Sequence, residues 1–576
     1  MATHVIEDFS SFINEMPHIF HGSEIIFVTP TYDDIWSLKT IFSKNNIQLH
    51  SIKFYTAHEF RKHLAVELDL PKKICSNGMV SFCFDEVADE MNAGSYTQRT
   101  IIADKKVTLQ AFHETLRSGI QYENILNEDL CKFFKNLGEG IAANDFILEQ
   151  DVDRLLLKSA SFLKTPLDGQ VIFYGFLPFD NAKVLMEVAA KCYAQTDVIS
   201  HDFGDAEFVH LWINTLEKIF GESIFHLCNG DHNLGKNVKF QSYDTVCDEV
   251  DATFRQILQL LSRDTSVKIG ICFKDSQITQ LPMLVDKLEA AGISYCDTIG
   301  HPKKSAKHET ILSLWGDWQI RRDIPSFGRF CAELSANNLI ELEQFDQIIS
   351  DLPSLQGGCL SDNFDIVLEF ANLKNIHSFD TVESYDMHGT RFSFKNFYQK
   401  FMEAFGDILP PKMVEFLAEQ FNGAIAEKVF YKRNLVKYFV ASAISKGQDY
   451  TLNPQANVVL ININSAYKQD FTDMFVVGMT AADFDFFGEN YWLSSNLIDK
   501  INGHTTILLN SGDSVVEYSH NYLFSSQEKK YLQRTIFKIL CKKRNLTLSY
   551  ATKNYYGDAV EQEPAKVFTE IFHLVQ

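Results

Sequence analysis

The sequence predicts an α/β protein with two parallel-sheet lobes, each interrupted by a helical insertion. Two short apolar runs, at 458–463 and 474–479, are rich in β-branched residues, which indicates strands buried on both faces. Further runs of this kind alternate with helical patterns that carry one apolar face. Two long stretches, at about 80–165 and about 305–445, show helical periodicity with few strand signals, and they predict the insertions.

The first lobe is predicted to span residues 1–235. A strand at 24–28 precedes a Thr-Pro-Thr turn and a helix that has Ile35, Leu38 and Phe42 on one face. A second strand, at 51–55, precedes a helix that Thr56 can cap. After the insertion at about 80–165, the segment 171–180 gives a strand and a loop, and 196–200 gives a further strand.

The second lobe is predicted to span residues 236–576. It begins with a strand at 237–243 and an amphipathic helix at 245–261. A strand at 267–273 and a helix that stops at Gly292 follow. After the insertion at about 305–445, the predicted strands are 458–463, 474–479 and 505–510.

Composition narrows the functional classes. A chain of 576 residues with 45% hydrophobic and 22% charged residues is typical of a soluble, globular, multidomain protein. The net charge of -22 argues against adhesion of the whole surface to nucleic acid, but leaves room for a local basic channel. The 11 cysteines form no CxxC pair, which favours free thiols in a reducing cytoplasm. Without a signal core or an apolar run of about 18 residues, we expect a cytoplasmic protein without membrane contact.

The stretch 458–485 resembles the fifth motif of UvrD-type superfamily 1 helicases and of the related AddB and RecC proteins. In that family a strand ends in Thr-x-His-x-x-Lys-Gly-x-Glu-Phe and a second strand ends in Val-Gly. Phe471 and Gly478 fall on matching positions, and LTLSY at 546–550 with Gly557 is similar to the sixth motif. The resemblance implies two RecA-like lobes and a fifth-motif loop that touches the nucleic-acid backbone.

The residues that carry chemistry in that family are replaced here. No GxxxxGK[ST] phosphate loop occurs, so we do not expect ordinary ATP hydrolysis. The family's metal-holding Asp-Glu pair corresponds to Tyr174 and Gly175. The positions of two nucleotide-contacting arginines hold Lys274 and Cys541, and the fifth-motif Glu is shortened to Asp470. We interpret these last three residues as degenerate nucleotide-site positions, and expect no catalytic residue, metal or cofactor.

Eight residues are the predicted DNA contacts. They lie in the fifth-motif loop, in a basic cluster before LTLSY, and where the family's first lobe offers stacking groups to single strands: Asn462, Asn464, Tyr467, Lys468, Lys542, Lys543, Arg544 and Tyr32. For the loop, the alternative is a solvated crest over two core strands. For the basic cluster, the alternative is a charged helix end that faces water. A separate acidic group with helical spacing is interpreted as a solvated face and not as a metal site: Asp85, Glu86, Asp89 and Glu90.

Together these features predict a non-motor subunit that binds or channels DNA in DNA repair or in defence against foreign DNA. The expected partners are a helicase or nuclease subunit and single-stranded or forked DNA. One alternative is a protein–protein interaction scaffold with an inactivated helicase fold, which the charge of -22 and the 48 Phe residues favour. The other is part of an active ATP-dependent helicase-nuclease whose catalytic parts lie on a longer chain or a partner. AddB continues into a PD-(D/E)XK nuclease domain, and this sequence has no convincing set of nuclease carboxylates.

Overall fold

The structure is a computed structural model. The residues that it describes are 2–6, 9–15, 24–45, 47, 52–70, 73–91, 94–118, 127–176, 182–201, 216–217, 220, 223–226, 237–274, 279–302, 307–321, 324–337, 343, 346, 391–421, 425–444, 448–451, 453, 455–469, 471–484, 490–494, 497–498, 507–511, 514–518, 530, 533–534, 536–537, 539–541, 545–556, 558 and 561–575.

The first lobe begins with three strand–helix units. They are β1 (Ala2–Ile6), α1 (Phe9–Glu15), β2 (Ile25–Thr29), α2 (Tyr32–Lys44), β3 (Ile52–Thr56) and α3 (Ala57–Glu67). Ile35, Leu38 and Phe42 of α2 are buried, as their spacing predicts. Thr56 caps α3 in a reciprocal capping box with Glu59, which confirms its predicted role.

The first insertion follows α3. It contains β4 (Lys73–Ile74), α4 (Asn77–Glu90), α5 (Tyr96–Ala103), α6 (Lys105–Ser118), α7 (Glu128–Ala143), β5 (Phe146–Ile147) and α8 (Glu149–Ala160). The lobe then resumes with β6 (Leu167–Tyr174), α9 (Lys183–Cys192), β7 (Tyr193–His201) and β8 (Ser223–His226). Its sheet has the order β3-β2-β6-β7-β1-β8, and every pairing is parallel.

Strand β1 was not predicted from the sequence. Two of its three interior positions are polar, yet Thr3 and His4 are only 0% and 2% exposed because the strand lies between β7 and β8. Only residues 7 and 8 separate β1 from α1. A phosphate-binding loop of the pattern GxxxxGK[ST] places several residues between a strand and the helix that follows it, so this two-residue connection is too short for one.

The second lobe begins with β9 (Val238–Thr245), α10 (Val246–Arg263), β10 (Ile269–Phe273), α11 (Gln280–Ala290) and β11 (Tyr295–Pro302). The second insertion contains α12 (Lys307–Arg321), α13 (Ile324–Ala336), β12 (Arg391–Ser393), α14 (Phe394–Phe405), α15 (Pro411–Phe421), β13 (Val429–Tyr431) and α16 (Lys432–Ala443). The remaining elements are β14 (Gln448–Thr451), β15 (Val458–Asn462), α17 (Ile463–Ala466), β16 (Asp473–Val476), α18 (Ala481–Phe484), β17 (Ile507–Ser511), β18 (Ser514–Tyr518), β19 (Asn545–Lys553) and α19 (Lys566–Val575).

The sheet of the second lobe has the order β14-β11-β15-β10-β16-β19-β9. All pairings are parallel except that of the edge strand β14 with β11. The predicted fold class, two RecA-like parallel-sheet lobes each interrupted by a helical insertion, is therefore confirmed. The prediction that the strand near 505–510 extends the lobe is wrong, because β17 pairs with β18 in a separate antiparallel hairpin.

The two insertions pack on each other and share one hydrophobic core. On α4, Phe82 contacts Phe430 and Tyr438 of the second insertion at ring-centroid distances of 5.0 and 5.1 Å. The interpretation of the acidic group on α4 as a solvated face holds for Glu90, which is exposed, but is wrong for Asp85, Glu86 and Asp89, which are half-buried. All four carboxylates have partners. These are Lys105 for Asp85, Asn434 for Glu86, Arg433 for Asp89 and Arg391 for Glu90. We call the contact of α4 with the segment 391–434 the insertion seam.

Candidate functional site: the cleft between the lobes

The carboxyl ends of the two parallel sheets face each other at a packed interface between the lobes, which we call the cleft. In open α/β sheets, ligands bind outside the carboxyl ends of the strands. The first lobe contributes Asp34 after β2, Gly175 after β6 and His201 at the end of β7. The second lobe contributes Tyr467 and Lys468, which follow β15 and the short helix α17. This is therefore the place where a nucleotide or another ligand would be expected.

Helix caps position the side chains on both walls. Thr31 caps α2 through its side chain, which accepts from the backbone N–H of Asp34, so Asp33 and Asp34 lie in the first helical turn. On the opposite wall, Oδ1 of Asn462 accepts from the backbone N–H of Asn464 at 2.9 Å and caps α17. Tyr467 and Lys468 follow this single helical turn and extend towards the first lobe.

One buried ion pair closes the cleft. Nζ of Lys468 lies 2.8 Å from Oδ1 of Asp34, and the two side chains are 3% and 1% exposed. Oγ1 of Thr31 donates to the second carboxylate oxygen of Asp34 at 3.0 Å. The Lys468 ammonium also lies 5.6 Å from the centre of the Tyr467 ring. The charges of Lys468 and Asp34 thus neutralise each other at a place from which water is excluded.

Gly175 makes room for this pair. Its φ of +72° is a conformation that glycine adopts without strain. A Cβ atom at this position would lie only 2.9 Å from Nζ of Lys468. The lysine side chain therefore occupies the space above the end of β6.

Two further carboxylates lie near the ion pair. Burial raises the pKa of Asp33 to about 8, with smaller upward contributions from Asp34 and Asp297, and Lys468 opposes the shift. Asp297, on β11, is fully buried, and its Oδ1 accepts from the backbone N–H groups of Ile299 and Gly300. Burial therefore favours the protonated form of the Asp33 carboxyl group at neutral pH.

An aromatic contact joins the lobes beside the ion pair. The ring of His201 packs edge-on against Tyr467, with centroids 5.5 Å apart, and lies 3.2 Å from the hydroxyl oxygen of Tyr174. His201 and Tyr467 are 3% and 4% exposed. This contact continues the packed interface across the ends of β6 and β7.

The structure changes the interpretation of the predicted fifth-motif contacts. Tyr467 and Lys468 are buried between the lobes, so neither offers a surface to DNA in this conformation. Asn462 is half-buried and donates to the backbone oxygen of Lys274, whereas Asn464 is exposed. Tyr32 is 52% exposed and its hydroxyl donates to Glu59.

The remaining predicted positions are spread over the second lobe. Lys274 lies at the end of β10, with its ammonium 5.7 Å from the ring centre of Phe484. Cys541 is buried in an apolar cluster, and burial raises its thiol pKa to about 12, so it is a core residue. Asp470, Lys542, Lys543, Arg544 and Gly557 lie outside the described residues.

The sequence did not point to Asp33, Asp34, His201 or Asp297 as site residues. The available signal was the order Thr-Tyr-Asp-Asp after β2, since a capping threonine followed by acids places carboxylates at a helix start beside the strand end. Within the described residues, no cluster of three or more His, Cys, Asp or Glu could hold a metal ion. Among the helices of these residues, none is long and apolar enough to cross a membrane.

Comparison with known proteins adds no assignment. Neither a protein-family model nor a curated protein matches this chain.

Proposed function

We propose that this protein is a non-motor subunit of a DNA-processing complex, in which two helicase-like lobes are fixed against each other. The observation that supports this most directly is the ion pair of Lys468 with Asp34 in the cleft. A motor needs a nucleotide to open and close such a cleft, whereas here a side chain of the protein fills it. The two-residue connection after β1 adds to this, because it has no space for a phosphate loop.

The DNA-processing part of the proposal rests on the resemblance of 458–485 and 546–550 to helicase motifs. The subunit would bind or channel single-stranded or forked DNA for a helicase or nuclease partner in the cytoplasm, in DNA repair or in defence against foreign DNA. With Tyr467 and Lys468 buried, the basic cluster 542–544 becomes the first candidate for phosphate contact.

A second candidate function is a protein–protein scaffold that does not handle DNA. Two observations favour it: the burial of the two loop residues with the most suitable chemistry, and the net charge of -22. A strongly acidic chain repels DNA unless a local basic surface compensates.

Fluorescence anisotropy of labelled single-stranded and forked DNA with the purified chain, over a salt series and with or without ATP, separates these functions. The proposal expects binding that weakens steeply with salt and does not respond to ATP. The triple variant Lys542→Ala, Lys543→Ala, Arg544→Ala should weaken binding and flatten the salt dependence. The control is Lys62→Ala, Lys132→Ala, Lys135→Ala, which removes the same charge from exposed positions elsewhere.

Absence of binding at low salt would exclude DNA handling by this chain alone and favour the scaffold. ATP hydrolysis by the purified chain would contradict both non-motor functions.

A further inference from the structure

The two lobes and the two insertions are held together in different ways. The insertions share one hydrophobic core, in which Phe82 packs on Phe430. Each of the hydrophobic clusters in the lobes contains residues of one lobe only, and none of them crosses the cleft in the described part of the chain. Domains move relative to each other unless the interface between them is large and hydrophobic. The lobes can therefore separate while the joined insertions act as the hinge.

Helix α2 places Asp33 against the second lobe. The helix packs on β11, and Asp33 is 9% exposed. Besides burial, which is the largest cause of its pKa shift, three charged groups act on Asp33: Asp34 on the same helix, Asp297 on β11 and Lys468 after α17. The thiol of Cys296 on β11 also interacts with Asp33, and burial raises the pKa of this thiol, which keeps it uncharged. Three carboxyl groups therefore meet one ammonium group in this interface.

The charge of the interface depends on the proton of Asp33. When this carboxyl group is protonated, two carboxylates remain with Lys468, and its ion pair with Asp34 closes the cleft. When Asp33 ionises, three carboxylates share one lysine at a place from which water is excluded. Separation of the lobes returns Asp33 to water, so opening relieves the unfavourable burial of the third charge.

Ser37 adds a second reason for the interface to open. It lies one turn after Asp33 on the same face of α2 and is 4% exposed. Its Oγ forms no hydrogen bond with any residue that the structure describes. Buried polar atoms are nearly always paired, and water would supply the partner once this face is exposed. The closed form thus contains two polar groups that favour an open form.

We propose that the cleft is a proton-dependent latch. The lobes are closed while Asp33 is protonated, and they separate as rigid bodies about the joined insertions when Asp33 ionises. This goes beyond the function proposed above and is independent of it, because no contact with DNA enters the argument.

The pH range of the latch follows from the two environments of Asp33. Burial raises the pKa of this carboxyl group to about 8 in the closed form, whereas in water it has its ordinary value of 3.8. Between these values the closed form binds one proton more than the open form. Closure should therefore weaken about tenfold for each pH unit from pH 5 to pH 8, and should change no further above pH 9.

Hydroxyl-radical footprinting of the whole chain from pH 5 to pH 9, read by mass spectrometry, tests the latch. The reporters are Tyr467 and Cys296, which are 4% and 7% exposed at the cleft. Their matched controls are Tyr438 and Cys75, which are 4% and 6% exposed in the core of the joined insertions. We expect labelling of both reporters, relative to their controls, to rise roughly tenfold for each pH unit up to pH 8 and then to level off.

Two variants assign the response to Asp33. Asp33→Asn and Asp33→Ser cannot ionise, so labelling of the reporters should no longer change with pH. This separates Asp33 from other titrating groups at the cleft, including His201. The matched control is Asp168→Asn, on an exposed position of β6 in the same lobe, which should keep the pH response of the unmodified protein.

Three results would overturn the latch. The first is labelling of Tyr467 that stays constant from pH 5 to pH 9, or that rises together with Tyr438, since the latter means that the whole protein unfolds. The second is a rise at Tyr467 without a rise at Cys296, which means that the loop moves while the lobes stay together. The third is an unchanged pH response in folded Asp33→Asn or Asp33→Ser protein. Because the first two results need only the unmodified chain, the test does not depend on the folding of either variant.

Discussion

Two contacts join parts of this chain that are distant in sequence, and they use ion pairs in opposite ways. In the cleft, the pair of Lys468 with Asp34 has side chains that are 3% and 1% exposed. At the insertion seam, Arg433 and Asp89 are 32% and 14% exposed. Removing one partner of a buried pair leaves an uncompensated charge, while water replaces a lost partner at a partly exposed pair. Loss of one ion-pair partner should therefore destabilise the cleft strongly, whereas the seam should tolerate the loss of one partner.

The largest effect is expected from Lys468→Met. The substitution preserves the length of the apolar chain but leaves Asp34 buried without its cation, close to Asp33 and Asp297. We expect a loss of about 3–5 kcal/mol in the free energy of unfolding, measured by urea denaturation.

The control for this variant is Lys395→Met, whose exposed partner Glu427 is 3.8 Å away, and which should lose under about 1 kcal/mol. The double variant Lys468→Met, Asp34→Leu removes both charges and should recover most of the loss. Equal losses for Lys468→Met and Lys395→Met would contradict the contrast between the two contacts.

A second prediction concerns the pH dependence of the cleft. Burial raises the pKa of Asp33 from 3.8 to about 8, so between these values the folded state binds more protons than the unfolded state. The contribution of Asp33 to stability is therefore present at low pH and falls as the pH rises towards 8. Asp33→Asn should remove this slope, so that its stability relative to the unmodified protein rises by about 2–3 kcal/mol between pH 6 and pH 9.

Thermal unfolding of both proteins from pH 5 to pH 9 measures this difference. The difference between the two proteins should grow from pH 5 to pH 8, and it should vanish only near pH 4 and below, where the Asp33 carboxyl group is protonated in both the folded and the unfolded state. If the stability of Asp33→Asn changed with pH in parallel with that of the unmodified protein, Asp33 would not be the group that causes the pH dependence.

The third prediction separates backbone strain from the space that Lys468 needs. Gly175 and Gly292 have similar positive φ values of +72° and +66°, so alanine at either site costs about 1–2 kcal/mol in conformation. An added Cβ meets Nζ of Lys468 at 2.9 Å in the first case and nothing within 4 Å in the second. Gly175→Ala should therefore lose about 1 kcal/mol more than Gly292→Ala in urea denaturation. Equal losses would mean that the lysine moves freely.

Much of the fold follows from local sequence. Runs such as 458–463 and 267–273 are apolar and β-branched, and they form central parallel strands because both of their faces are buried. Strand β1 gave no such signal, since its burial comes from strands more than 190 residues away in sequence, as the pairing of His4 with Ile199 shows. The hairpin of β17 and β18 was mistaken for part of the lobe because strand propensity does not specify a pairing partner.

The candidate site was less predictable. Resemblance to a helicase motif pointed to the loop of Tyr467 and Lys468, but not to what the loop contacts. Its partner Asp34 is 434 residues away, and no local pattern relates a lysine to an acid at that distance. The acids of α4 illustrate the same limit. Their helical spacing is typical of a solvated face, and only the packing of one insertion on the other reveals that Asp89 has a partner.

The smallest effect is expected at the insertion seam, from Asp89→Ala. Asp89 accepts from Nε of Arg433 at 2.9 Å and from Nδ2 of Asn434 at 2.8 Å, so its loss should cost about 1–2 kcal/mol. Glu570→Ala, which removes the exposed partner of Arg534, is the reference and should cost about 0.5 kcal/mol or less. Hydrogen exchange of α4 amides should rise only in the first variant. If Asp89→Ala instead lost as much as Lys468→Met, exposure to water would not be what distinguishes the seam from the cleft.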